Sequence, residues 1–215
     1  MPVSTIRTPV AGLAGDSAAL NAPLFRLLTD RLADGRRRAI LDLGAATTPM
    51  LDLLGRSPCR VEIADLGSDR ELEQVNAAEP DAVIAAADAL LPARREDSRF
   101  DAIFCWDIPN HLNRQGLTAL MTAVAARAGP GAVAHMLIYY SAGTMPARPG
   151  RFVPTADARL VDNAAAAGTI DAPRYSPEEL DRLMGGFAID SARLLANGMQ
   201  EFLFRLPGGH GSNGL

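Results

Sequence analysis

The chain contains no lysine, so all 21 of its basic residues are arginine. That absence excludes Schiff-base and pyridoxal chemistry, the phosphate-gripping lysine of a P-loop, and a lysine general base. Cysteine is scarce: Cys59 and Cys105 show no zinc-site spacing and read as free thiols of a protein from a reducing compartment. No apolar run reaches membrane-spanning length, and Met1 to Ala14 lacks the charged and then apolar regions of a signal peptide. A soluble, cytoplasmic protein with no membrane partner is expected. Positive charge is not in excess, the net charge being -4, which argues against a nucleic-acid partner. A homodimer stays open.

What is present is apolar residue, 48% of 215, enough for one globular domain and too little chain for two. The expected division is a flexible N-terminus over 1–15, a single domain over 16–206 and a flexible tail over 207–215. From Asp16, leucines at three- and four-residue intervals predict a helix that stops at Gly35. Arg36-Arg37-Arg38 reads as a solvated lead-in to a strand, Ala39 to Leu43. Further strands are expected over Arg60–Asp65, Ala82–Ala86, Phe100–Trp106 and Ala132–Tyr140. Helices are expected over Ser68–Ala78, with Ser68 as cap and Glu71 three positions on, and over Leu117–Ala128. Residues 141–175, with Pro146, Pro149, Pro154, Pro173 and the Ala164–Ala167 run, read as loop with room for one helix. Ser176-Pro177-Glu178-Glu179 starts another helix. Two β-like runs, Phe187–Leu194 and Met199–Leu206, meet across Asn197-Gly198, a hairpin signal.

Strands joined by helical crossovers predict a mainly parallel sheet, and such sheets bind ligands at the carboxyl ends of their strands. Four of those ends carry Ile40-Leu41-Asp42-Leu43-Gly44-Ala45-Ala46-Thr47, then Asp65, then Ala87-Asp88-Ala89-Leu90-Leu91-Pro92, then Phe100-Asp101-Ala102-Ile103-Phe104-Cys105-Trp106-Asp107. In this order the set resembles the class I, Rossmann-like S-adenosylmethionine-dependent methyltransferases, across residues 36–206. The resemblance implies an α/β fold with a mainly parallel seven-stranded sheet, helices on both faces and a C-terminal antiparallel hairpin. It implies S-adenosylmethionine as cofactor and a small-molecule acceptor. By analogy Asp42, Gly44 and Ala45 belong to the loop approaching the methionine part, Asp65 with Leu66 to the ribose site, and Asp88 with Ala89 to the adenine site. Cys105, Trp106 and Asp107 fall on the strand that lines the transfer site in that family.

The residue types suit that chemistry. Ribose hydroxyls and an exocyclic amine are donors, which want carboxylates, and a sulfonium favours acidic or aromatic neighbours. The departure is the first motif, where the family has two or three glycines and this chain has Gly44 followed by Ala45-Ala46-Thr47-Thr48-Pro49. Alanine serves there only where the backbone needs no positive φ. A nicotinamide-dependent oxidoreductase is disfavoured by the same shortage of glycine. The remaining alternative is a methyltransferase-like scaffold, catalytically inactive, that acts through protein contacts.

Methyl transfer is an in-line displacement that depends on proximity and orientation. If a base is needed, His111 is the first candidate, with the alternative that it opens the following helix. Asp107 is the second, with the alternative that it shapes the pocket. His135, inside an apolar strand, reads as a packed core residue, and His210 in the tail is set aside. No metal is expected, since no third ligand joins Asp107 and Asn110. The segment from Tyr139 to Tyr175 reads as a lid or binding loop, with the alternative of a surface loop solvated by its arginines. Its Tyr139, Tyr140, Met145, Arg148, Arg151, Phe152, Arg174 and Tyr175 would suit an acceptor bearing a carboxylate, a phosphate or a ring.

Overall fold

Asp42 and Asp65 end neighbouring strands because a short apolar run, Arg38–Asp42 (β1), lies between two parallel partners. The computed structural model describes residues 19–67, 69–95, 98–163 and 168–208. The expected flexible segment over 1–15, the Ser68 cap, the Ala164–Ala167 run, His210 and the tail from 209 onward lie outside the described residues.

One partner of β1 is β2 (Cys59–Ile63) and the other is β3 (Phe100–Trp106), which pairs in turn with β4 (Ala128–Tyr139). All three pairings are parallel. Short strands β5 (Thr144–Pro146), β6 (Phe152–Pro154), β7 (Leu160–Asp162) and β8 (Thr169–Asp171) follow, before the hairpin β9 (Ala188–Leu194) and β10 (Met199–Arg205). The hairpin joins the main sheet antiparallel, giving the order β2-β1-β3-β4-β10-β9. The sheet therefore has six strands, not the expected seven.

The missing strand is the one expected over Ala82–Ala86. Those residues fall instead on the helix α4 (Val83–Ala89) and the turn before it. A short apolar run has no periodicity to separate strand from buried helix, and alanine, at four of these seven helical positions, is the best helix former. Only Val83 and Ala87, four residues apart, are buried, which is one helical face. With no third strand outside it, β2 is the edge of the sheet.

The other helices are α1 (Pro23–Leu32), α2 (Thr48–Leu54), α3 (Asp69–Asn76), α5 (Arg114–Ala125) and α6 (Pro177–Leu183). Ser176 caps α6, its hydroxyl accepting from the Glu179 amide at 3.2 Å, as the Ser-Pro-Glu-Glu start predicts. The sequence reading missed α2, a seven-residue helix that buries only Met50 and Leu54. Two layers cover the sheet. Helices α3 to α6 pack on the face bearing Leu41, Ile103 and Cys105, and α1 and α2 on the face bearing Ile40, Phe104 and Trp106. Among the described residues no helix is long and apolar enough to cross a membrane.

Residues 141–175 hold no helix among the described residues, in place of the one allowed for. β5 pairs with β8 and β6 with β7, each as a small antiparallel ladder. The start of α1 has no side-chain cap of its own. Glu201 of β10 supplies one: its carboxylate accepts from the Leu24 amide at 2.9 Å and the Phe25 amide at 2.7 Å. His135 of β4 reaches the same carboxylate at 2.9 Å, and neither side chain is exposed.

Candidate functional site

The carboxyl end of β1 is built around one buried acid. Asp42 is 2% exposed, and its Oδ1 accepts from the Gly44 amide at 2.9 Å and the Trp106 indole N–H at 2.6 Å. Burial pushes its carboxyl up to about 6, partly offset by those two donors, and the charge of nearby Asp65 pushes the same way. Asp65 itself is exposed, two residues past the end of β2, with φ 53°. Buried Leu66 ties the two strand ends together, its amide donating to the Leu43 carbonyl at 2.8 Å.

The glycine-poor first loop is accounted for by its backbone. Gly44, Ala45, Ala46 and Thr47 all lie outside the positive-φ region, so alanine meets no penalty at 45 and 46. Gly44 is required for a different reason: a Cβ there would stand 2.6 Å from Trp106 Cδ1 and 2.7 Å from its Nε1. The N–H edge of the indole thus occupies the space beside the loop. Its ring is stacked between Phe152 of β6, 5.9 Å away at 10°, and Phe104, 5.7 Å away at 24°. Thr47 Oγ1, at the end of the loop, is buried without a hydrogen-bond partner. Cys105 points the other way, into the helix-covered core, where burial pushes its thiol far above the ordinary range.

Beyond β3 the chain turns through Ile108–His111. Asp107 is fully buried and both its oxygens accept from the Gly150 amide, at 3.0 and 2.9 Å, fixing the segment between β5 and β6 to the sheet. Asn110, which the sequence reading weighed only as a metal ligand beside Asp107, stitches the ends of β3 and β4. Its Nδ2 donates to the carbonyls of Asp107 and Leu137, both at 2.8 Å, and its Oδ1 accepts from the Tyr139 amide at 3.0 Å. The one available signal was an amide side chain beside an apolar strand end. Burial, with Asp107 and Asp162 nearby, pushes the Tyr139 hydroxyl above its ordinary range.

The His111 side chain is 5% exposed, and its Nε2 lies 3.7 Å from Asp107 Oδ2 with no hydrogen-bond partner. The ring lines a cleft of about 520 Å³ between α3, the Ile108–His111 turn and the β5–β8 ladder. Met145 lines it too, whereas Arg148, Arg151 and Arg174 are not among its described lining residues. Phe152 packs on Trp106, and Tyr175 is buried with its hydroxyl donating to the Leu112 carbonyl at 3.0 Å.

Asp88 and Ala89 do not join this group. Both sit on α4, and Asp88 Oδ1 accepts a hydrogen bond from Arg127 Nη1 in an ion pair. Arg127 directly precedes β4, and its carbonyl accepts from the amide of Phe100, the first residue of β3. The pair is therefore at the amino ends of the strands, the end away from Asp42 and Asp65. The strand that was to present Asp88 and Ala89 is a helix, so neither residue stands beside Asp42 and Asp65. Arg127 holds the Asp88 carboxyl below the usual range.

No family model matches the chain, and no curated protein matches it by sequence. Solved structures do match by shape. An S-adenosylmethionine-dependent methyltransferase from Clostridium acetobutylicum superposes with a TM-score of 0.50 at 15% identity, covering 86% of this chain and 90% of that one. The Burkholderia thailandensis 1,6-didemethyltoxoflavin N1-methyltransferase, with bound 1,6-didemethyltoxoflavin and S-adenosylhomocysteine, gives 0.49 at 18% identity, over 86% and 77% of the two chains. The Clostridium likeness shows that the chain shares that protein's fold.

Proposed function

We propose that the protein transfers a methyl group from S-adenosylmethionine to a small-molecule acceptor, within one domain spanning the described fold. The observation that carries this reading is the pair of carboxylates at adjacent strand ends, Asp42 and Asp65, flanking a loop whose backbone needs no glycine beyond Gly44. The residues present suit the cofactor at its ribose and methionine parts. Asp65 is exposed and acceptor-only, the chemistry a ribose diol calls for. The backbone of Gly44 and Ala45 and the orphaned hydroxyl of Thr47 meet the methionine part. Asp42 acts through Gly44, whose amide it holds, and Leu66 keeps Asp65 in place.

Bound there, S-adenosylmethionine supplies an electrophilic methyl group on a sulfonium. The chain's own part is to orient the acceptor against it and to take up a proton. His111 is the residue for the proton, with buried Asp107 3.7 Å from its Nε2. Trp106 shapes the wall between loop and lid, and Cys105 contributes only its main chain, because its thiol faces the core.

Equilibrium dialysis with S-adenosylhomocysteine tests the reading. Saturable one-to-one binding is expected. Absence of binding would leave the methyltransferase-like scaffold, acting through protein contacts, in its place.

A further inference from the structure

We infer that the acceptor is a small amine with an apolar body, held in the 520 Å³ cleft beside His111. This rests on methyl transfer as the activity and adds the chemical class of its acceptor.

The cleft's floor is apolar, with Leu72, Leu112, Met145 and Ile170. Its described charged lining residues are Glu73 and Asp171, with His111 beside them and no arginine. Neither acid makes an ion pair with a described residue. The cleft's amide side chains are already occupied. Asn76 donates to the His111 carbonyl at 2.9 Å and accepts from the Asn113 amide at 2.7 Å, and Asn110 is spent on the strand ends. The polar groups left for a ligand are two exposed carboxylates, beside the His111 ring, which is 5% exposed and whose buried Nε2 has no hydrogen-bond partner.

An ammonium group has three donors, no acceptor and a positive charge, so it complements that set. A carboxylate or phosphate would meet two like charges with no cation to offset them, which selects against it by repulsion. The arginines that suggested an anionic acceptor belong to the same segment, but their side chains do not form the cleft. His111, next to Asp107, then stands where an amine proton is released.

The test uses the cofactor-free protein and three probes of one shape: benzylamine, benzyl alcohol and benzoate. Binding is followed by calorimetry and by the imidazole resonances of His111. Benzylamine is expected to shift those resonances and to bind about tenfold more tightly than benzyl alcohol, with benzoate weakest. In Glu73→Gln/Asp171→Asn, benzylamine should lose about that tenfold while benzyl alcohol binds as before. The proposal is overturned if benzoate matches benzylamine, if benzylamine does not bind, if the double variant binds it unchanged, or if S-adenosylhomocysteine displaces it. S-adenosylhomocysteine binding with no amine binding would sink this inference alone. Amine binding with no S-adenosylhomocysteine binding would sink the methyltransferase reading and leave an amine site.

Discussion

Gly44 carries no side chain because Trp106 occupies the space one would fill, and Asp42 holds both from below. Gly44→Ala therefore forces the indole to move, and a destabilisation of about 1–3 kcal/mol is expected from such overpacking. Trp106 is the chain's one tryptophan, so its emission reports the change directly alongside urea unfolding. An unshifted spectrum with unchanged stability would mean that the contact is loose. Asp42 makes a second prediction. Its carboxyl titrates near 6 in the folded protein, above its ordinary value of 3.8, so between those values the folded state keeps a proton the unfolded chain has released. Its contribution to stability is present below about pH 4 and is lost as pH rises to about 6, a change of roughly 3 kcal/mol at most. Asp42→Asn keeps the accepting oxygen and cannot ionise. The difference in unfolding free energy between variant and wild type should grow in the variant's favour from pH 4 to pH 7, and a constant difference would contradict it. At this scale the sequence was informative about which residues meet, since Asp42, Gly44, Asp65 and Trp106 do lie together. It gave no sign that the loop's close approach is to an indole of the same chain.

Elements stapled over long separations were the hardest to read. The first helix is capped by Glu201, more than 170 residues away, and nothing near Leu24 announces it. Glu201→Gln leaves an amide N–H₂ facing a backbone donor or His135 in a site with no exposure. We expect about 1–3 kcal/mol of destabilisation and faster amide exchange at Leu24 and Phe25, measured by hydrogen exchange. Unchanged protection of those two amides would show that the helix start is held by packing alone. Elements with a local signature were legible: the Asn197-Gly198 hairpin, the Ser176 helix start and β3 all stand where expected. The run over 82–86 was not, because four or five apolar residues fit a buried strand and one helical face equally well. Residues 141–175 escaped for a similar reason. Their strands are three residues long, too short for alternation to show.

For the molecule as a whole, one changed element relocates part of the expected site. With helix in place of the strand over 82–86, β2 becomes an edge and Asp88 moves to the amino ends of the strands, bound to Arg127. The acids that remain at the carboxyl ends are then Asp42 and Asp65, the ones on which the proposed cofactor site rests. Calorimetric titration of S-adenosylhomocysteine into wild type, Asp65→Ala and Asp88→Asn tests this most directly. The account predicts binding by wild type, a loss of at least about tenfold in Asp65→Ala as two ribose hydrogen bonds go, and wild-type affinity in Asp88→Asn. A protein that binds nothing, or one in which Asp88→Asn weakens binding as much as Asp65→Ala, would contradict it.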